Sequence, residues 1–247
     1  MSRLDQALVR RGLCPTREKA RRAVLAGQVR LRGQMARKPS DLVKPGDDVA
    51  LSEPERFVSR GGLKLEHGLR HFQVAPFGLT AVDLGASTGG FTDCLLQHGA
   101  AKVFAVDVGR GQLAWKLRQD PRVVVMEKTN ARALTRRSFP QPFAGADLVV
   151  ADCSFISLRK ILPAAVALLG GSGKILALVK PQFEAGKVEA DRGAGVITDP
   201  AIHARVLREL REFVARNLGV LWRGETESPL LGPAGNKEFL VLLERTS

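Results

Sequence analysis

Tyrosine is absent from the 247 residues, tryptophan occurs twice, and aromatic residues make up only 5%. That scarcity argues against a platform on which nucleic-acid bases stack on aromatic rings. Cysteine is scarce too. Cys14, Cys94 and Cys153 are odd in number and far apart, which suggests neither a disulfide framework nor a zinc site. They point to a reducing compartment, the cytoplasm. No apolar run approaches the ~20 residues of a membrane span. The longest, Ile161 to Leu169, contains Pro163. The opening MSRLDQALVRRG has no unbroken apolar region and does not read as a secretory signal. No His/Cys/Asp cluster has metal-ligand spacing, so no metal is expected. His67 and His71, four apart on a helical face, read as a solvated pair.

Acidic residues are the remaining shortage. Lys+Arg total 38 and Asp+Glu 25, a net charge of +13, on a chain otherwise 45% hydrophobic and 26% charged. This is globular usage with enough apolar material for a core, in one large domain or a medium one plus a small one. The positive surplus suggests a polyanionic partner, nucleic acid or an anionic membrane. It is concentrated. Residues 1–38 hold eleven Lys/Arg against Asp5 and Glu18. Arg3, Arg10, Arg11, Arg17, Lys19, Arg21 and Arg22 are the candidate nucleic-acid contacts.

The basic segment also reads as folded. Leu4, Ala7 and Leu8 share a helical face that Gly12 ends. Thr16 is a plausible N-cap for a second helix, with Glu18 in its first turn and Gly27 past its end. Val29 and Leu31 alternate with Arg30 and Arg32 as a short strand. Pro45-Gly46 makes a turn, and Val49 and Leu51 alternate again. From residue 80 the pattern changes to short apolar runs: Thr80–Leu84, Lys102–Val106, Val123–Met126, Asp147–Ala151 and Lys174–Val179. Runs apolar on both faces suit buried parallel strands. Helical patterns lie between them around 90–98, 112–118 and 157–169. From Ala201 to Leu218, Ile202, Val206, Leu210, Phe213 and Val214 share one face. Val220–Trp222 and Phe239–Leu243 then read as an antiparallel hairpin. The fold class is α/β, a doubly wound Rossmann-like domain at 59–247 behind a small α+β domain at 1–58.

The first strand ends in Asp83-Leu84-Gly85-Ala86-Ser87-Thr88-Gly89-Gly90-Phe91. Glycines at a strand-to-helix turn allow close backbone approach to a ligand. The spacing is not G-x-G-x-x-G, and an acid in the turn repels phosphate. A cationic ligand carrying an amino acid suits it better. Asp107, followed by Val108, ends the second strand where a carboxylate takes the hydroxyls of a ribose. Asn130, after the third, is placed for an adenine edge. These parts together make a site for S-adenosylmethionine. Lys64, Asp152, Lys180 and Glu238 stand where such a site opens. Singly, each has a plainer reading as a surface lysine, a helix cap or a strand-edge charge.

The set Lys64, Asp152, Lys180, Glu238 resembles the lysine–aspartate–lysine–glutamate tetrad of FtsJ/RrmJ-type ribose 2′-O-methyltransferases. The strings SRGGLKL, DLGASTGGFTD, DCSFISL and KPQFE resemble the TlyA family across essentially the whole chain. Members carry haemolysin names and act as 2′-O-methyltransferases on rRNA cytidines. The resemblance implies an S4-type RNA-binding domain over the first ~60 residues. Phe57 stands where some relatives have tryptophan. It further implies ribosomal RNA or ribosomal subunits as partners, S-adenosyl-L-methionine as methyl donor and a catalytic tetrad. In that scheme Lys180 is the general base, with its pKa lowered by burial and by Lys64. Asp152 orients it and also lies near the methyl donor. Lys64 and Glu238 position the hydroxyl and its ribose. A monomer is expected. The rivals are a membrane-active haemolysin and an RNA-binding protein whose methyltransferase fold is inactive. The stretch from Gln182 to Thr198 is expected to be a mobile lid that closes over the ribose.

Overall fold

A computed structural model describes residues 1–51, 56–186, 189 and 193–245. The chain divides into two compact units, Met1–Arg56 and Phe57–Ser247. The first contains β1 (Ser2–Arg3), α1 (Leu4–Arg10), α2 (Arg17–Leu25), β2 (Val29–Leu31), β3 (Gln34–Met35), β4 (Leu42–Val43) and β5 (Val49–Leu51). β1 pairs antiparallel with β4, and β2 lies between β3 and β5. Leu4, Leu8, Ala20, Val24, Val29, Val43 and Val49 make its core. Thr16 caps α2, its hydroxyl accepting from the Lys19 amide at 3.2 Å. Gly12 and Gly27 follow the two helices at φ +71° and +72°, the left-handed region that lets a helix end where the pattern requires. The strands β1, β3 and β4 are only two residues long, too short to leave an alternation in the sequence.

The second unit runs α3 (Gly61–His71), β6 (Thr80–Leu84), α4 (Gly90–Gln97), β7 (Lys102–Val106), α5 (Trp115–Arg118), β8 (Val123–Met126), β9 (Ala146–Ala151), α6 (Leu162–Leu168), β10 (Leu169–Val179), α7 (Pro181–Glu184), α8 (Pro200–Asn217), β11 (Val220–Glu227) and β12 (Phe239–Arg245). Its sheet has the order β11-β12-β10-β9-β6-β7-β8. β10, β9, β6, β7 and β8 are parallel, and β12 and β11 join antiparallel at one edge. Alternation along each strand sends side chains to two cores. Val82, Val149, Ile175, Val241 and Leu243 face one side with Leu162 and Leu168 of α6 and Val206 and Leu210 of α8. Ala81, Leu148, Leu176, Leu240 and Leu242 face the other with Leu65 and Leu69 of α3 and Leu95 of α4. Each such buried leucine stabilises the fold by roughly 1.5–3 kcal/mol. Both faces are covered, so the sheet is doubly wound, as the two-sided apolar runs implied.

The departures are local. β10 begins at Leu169 because a Gly-Gly-Ser-Gly stretch pairs irregularly with β9 before the apolar run starts. The 112–118 pattern shortens to the four residues of α5, since Ala114 is extended at ψ 139°. The 157–169 pattern opens as a 3-10 turn, Leu158–Lys160, capped by Ser157, and becomes α-helical only at Leu162. His67 and His71 are not simply solvated. Their rings stack at 6.1 Å, and His67 Nε2 lies 3.2 Å from Thr226 Oγ1. Chain order turns back beside β6: β7 and β8 lie on one flank, β9 and β10 on the other. In such sheets this switch point opens a crevice at the carboxyl ends of the strands.

Candidate active site

The glycine turn after β6 is built by close packing. Gly85 has φ +85°, and a methyl there would meet the Asp152 carbonyl oxygen at 2.8 Å. A methyl at Gly90, the first residue of α4, would strike the Ser59 hydroxyl. Gly89 holds the left-handed conformation at φ +97° that starts this helix. Ser87 is left-handed too, at φ +49°, a conformation that disfavours non-glycine residues and needs outside support. Asp107 gives that support. Its carboxylate accepts the Ser87 amide at 2.8 Å and the Gly109 amide at 2.7 Å, joining the first two strand-end loops. Ala86 and Phe91 are buried, Thr88 is exposed, and Val108 beside Asp107 is 71% exposed. Asn130 is exposed at the end of the third strand's loop, where its Oδ1 accepts from the Arg132 amide and caps a 3-10 turn.

Asp83 is wholly buried in β6. Thr92 donates to its Oδ2 at 2.7 Å, while Oδ1 has no hydrogen-bond partner. Burial chiefly, then the neighbouring charges of Asp152 and Asp107, push its carboxyl up to about 7, against the Thr92 bond. Cys153, next to Asp152, is pushed up to about 12, again chiefly by burial, so it is an inert thiol.

The four reacting candidates form two ion pairs. Lys180, where β10 ends, places Nζ 2.6 Å from Asp152 Oδ1 and donates to Ser154 Oγ at 2.8 Å. Lys64 on α3 donates to Glu238 Oε2 at 2.5 Å, just before β12. Lys64 is 6% exposed, Lys180 9% and Glu238 1%. The second Glu238 oxygen, Oε1, has no hydrogen-bond partner. The start of α3 reaches the first pair, since a methyl at Gly61 would lie 3.8 Å from Asp152 Oδ2. Burial of Lys64, Lys180 and Glu238 is tolerated because each is paired, Lys180 with the partly exposed Asp152, and Glu238 Oε1 packs against Gly232. The joint before α3 is fixed to the same region. The Val58 amide donates to Asp93 of α4 at 2.8 Å, and Phe57 is buried.

Three features escaped the sequence. Phe155, three residues beyond Asp152, is 91% exposed with φ +63°, and its ring lies 5.2 Å from that of Phe183, three residues beyond Lys180. Few aromatics therefore did not mean none at the site. Glu184 accepts from Ser157 Oγ at 2.7 Å and the Leu158 amide at 2.6 Å. Buried Asn236 accepts the Ile197 amide and donates to the Gly195 carbonyl, both at 2.8 Å. His203 Nε2 adds a 3.0 Å contact to the Ile197 carbonyl oxygen. The far end of the expected lid is thus tied down, and its Lys187, Val188, Ala190, Asp191 and Arg192 lie outside the described residues.

In the first unit the arginines divide by role. Buried Asp5 draws in Arg3 at 3.2 Å and Arg17 at 3.0 Å, and these ion pairs hold its carboxyl below the ordinary range against its burial. Arg11 donates to the Asp47 carbonyl oxygen at 2.7 Å, and Arg22 pairs with Glu18 at 2.6 Å. Arg10, Lys19 and Arg21 are exposed and pair with no side chain among the described residues. Among those residues no helix is long and apolar enough to cross a membrane.

Comparison with known proteins agrees with this arrangement. Residues 57–245 match the model of the FtsJ-like methyltransferases, and residues 2–49 match the S4 domain. The chain is 50% identical over 248 residues to the 16S/23S rRNA (cytidine-2'-O)-methyltransferase TlyA of Mycobacterium tuberculosis, covering 98% of this chain and 89% of that protein. It is 37% identical to Hemolysin A of Brachyspira hyodysenteriae, covering 97% and 98%. A solved structure from Streptococcus thermophilus, bearing a hemolysin name, superposes with TM-score 0.76 at 44% identity and covers 99% and 88%. The chain belongs to the FtsJ-like methyltransferases and, within them, to the family of the TlyA proteins.

Proposed function

We propose that the chain transfers a methyl group from S-adenosylmethionine to the ribose 2′-hydroxyl of a cytidine in ribosomal RNA, 16S, 23S or both, in the cytoplasm. The observation that carries this is the two lysine–carboxylate pairs beside the glycine turn, Lys180 with the partly exposed Asp152 and the buried Lys64 with Glu238. The residues present fit the cofactor. Asp83, Asp107 and Asp152 surround the turn with negative charge, which suits a cation and opposes a phosphate. The Asp83 oxygen without a partner is an acceptor for an ammonium. Asp107, although it already holds two amides, keeps lone pairs for a ribose diol. Val108 offers an exposed apolar surface beside it. When bound, the cofactor supplies a methyl group on a positively charged sulfonium.

The chain's own task is the acceptor. A ribose hydroxyl is a weak nucleophile until its proton leaves. Lys180 accepts that proton at Nζ when it is the neutral amine, and Asp152 and Ser154 hold Nζ in place from two directions. Lys64 donates toward the ribose, and Glu238 holds its Nζ in place. Alignment of hydroxyl and methyl supplies much of the acceleration, because the sulfonium is already reactive. The exposed Phe155 ring stands beside this centre with a face for the cytosine. In the first unit, Arg10, Lys19 and Arg21 are free to meet phosphates.

The test is incubation with unmethylated ribosomal subunits and labelled S-adenosylmethionine, followed by mapping of the label. A 2′-O-methylcytidine is expected. Label on a base, or no label in RNA while the cofactor binds, overturns the proposal.

A further inference from the structure

The loop after β9 and the turn after β10 are joined at two places. At the reacting centre, Lys180 Nζ holds Asp152 Oδ1 and Ser154 Oγ. Beyond it, the Glu184 carboxylate accepts the Ser157 hydroxyl and the Leu158 amide with separate oxygens. Phe155 hangs between these joints on one strand of chain, and Phe183 hangs between them on the other. The Phe155 backbone sits at φ +63°, a strained conformation for a non-glycine residue that persists only when both ends are held. One end is held by Lys180 and the other by Glu184. Without the second joint the backbone is free to return to negative φ, and the ring swings away from Phe183.

We propose that Glu184 is a positioning residue that fixes the Phe155–Phe183 ring pair and so the seat of the acceptor nucleoside's base. The inference rests on the RNA-methylation function proposed above. Glu184 itself touches neither the transferred methyl nor the hydroxyl. It acts through Phe155, so its effect belongs in RNA binding and disappears when the Phe155 ring is gone.

Single-turnover methylation against RNA concentration tests this in four proteins: wild type, Glu184→Ala, Phe155→Ala and the double variant. Cofactor affinity and melting temperature are measured alongside. Glu184→Ala is expected to raise the RNA concentration at half-maximal rate about tenfold, the effect of one to two lost hydrogen bonds, with cofactor affinity unchanged. Phe155→Ala raises it similarly, and the double variant matches Phe155→Ala alone. Glu184→Gln restores most of the function, since the amide oxygen still accepts from Leu158 and the Ser157 hydroxyl can turn to accept. If Glu184→Ala melts early, Ser157→Ala, which removes the donor to Glu184 and the cap on the Arg159 amide but no charge, carries the same comparison with Phe155→Ala. Equal, multiplying effects of Glu184→Ala with and without the Phe155 ring overturn the inference, as does an unchanged RNA dependence. A wild type that methylates no RNA overturns instead the function on which it rests, and the two failures are distinct.

Discussion

Replacing Asp83 by Asn perturbs one buried atom and predicts two opposite effects. The carboxyl is fully buried, satisfied on Oδ2 by Thr92 and unpartnered on Oδ1. Its pKa is raised from the ordinary 3.8 to about 7, chiefly by burial. At about 1.36 kcal/mol per pH unit, this difference corresponds to roughly 4 kcal/mol, an upper bound because relaxation and entering water reduce it. The sign follows from proton counts. Between pH 4 and 7 the folded state keeps a proton that the unfolded chain has released, so stability falls as pH rises through this window. Above the folded value the full penalty is present; below the unfolded value none is. Asn removes the ionisation and retains an acceptor for Thr92. Asp83→Asn should therefore gain little stability near pH 4 and up to a few kcal/mol near pH 8, read by urea unfolding across that range. The second effect concerns the proposed cofactor. A cation is held better by the ionised carboxylate, so wild-type affinity should strengthen from pH 5 toward pH 7 and the Asn variant's should stay flat and weaker. A stability difference between the two proteins that does not change with pH would refute the buried-penalty reasoning. A pH-dependent wild-type affinity that survives in the variant would remove Asp83 from the cofactor's site.

Lys180→Arg keeps the charge beside Asp152 but cannot give up a proton near neutral pH. Methyl transfer should be lost while cofactor affinity stays, read by single-turnover methylation and calorimetry. A variant retaining most of the rate would show that Lys180 works only as a fixed charge. Asp107→Ala should weaken cofactor binding by about 1.5–3 kcal/mol, and calorimetry showing unchanged affinity in the folded variant would take Asp107 out of the site. Arg21→Glu with Arg22→Glu should weaken RNA binding and lower its salt dependence, because fewer counterions are released. The exposed Arg22–Glu18 pair lost in the process contributes little to stability, so a fall in melting temperature of many degrees would point to a structural role instead.

The sheet was legible in the sequence because burial on both faces leaves a mark that is hard to disguise. Thr80–Leu84, Lys102–Val106 and Val123–Met126 are strands with the boundaries their apolar runs suggest. The long helix, read as Ala201–Leu218, lies one residue earlier, at Pro200–Asn217, where Asp199 accepts from the Ala201 amide. What stayed hidden has no periodicity to show. The two-residue strands of the first unit are set by pairing with distant chain, not by local composition. The 3-10 turn before α6 is set by the Ser157 cap and by Glu184, a partner 26 residues away.

Site chemistry divides along the same line. Lys64, Asp152, Lys180 and Glu238 were visible because a charge at the edge of an apolar run is costly to bury without a purpose. Their pairing was not. Lys180 was expected to feel the like charge of Lys64, yet each lysine has its own carboxylate, Asp152 for one and Glu238 for the other. Which acid neutralises which base depends on the order of strands, since β10 lies between β9 and β12 and brings Asp152 and Glu238 to opposite sides of it. The basic segment shows the same limit. Seven cations look equivalent as sequence, but two are bound to buried Asp5 and one to a backbone carbonyl. Composition is also silent on placement. A count of aromatic residues averages over the molecule, whereas the fold holds a single phenylalanine, Phe155, at φ +63° between two tethered loops with its ring exposed. Scarcity of a residue type excludes an extended platform of that type and says nothing against a single placement that tertiary structure over-determines.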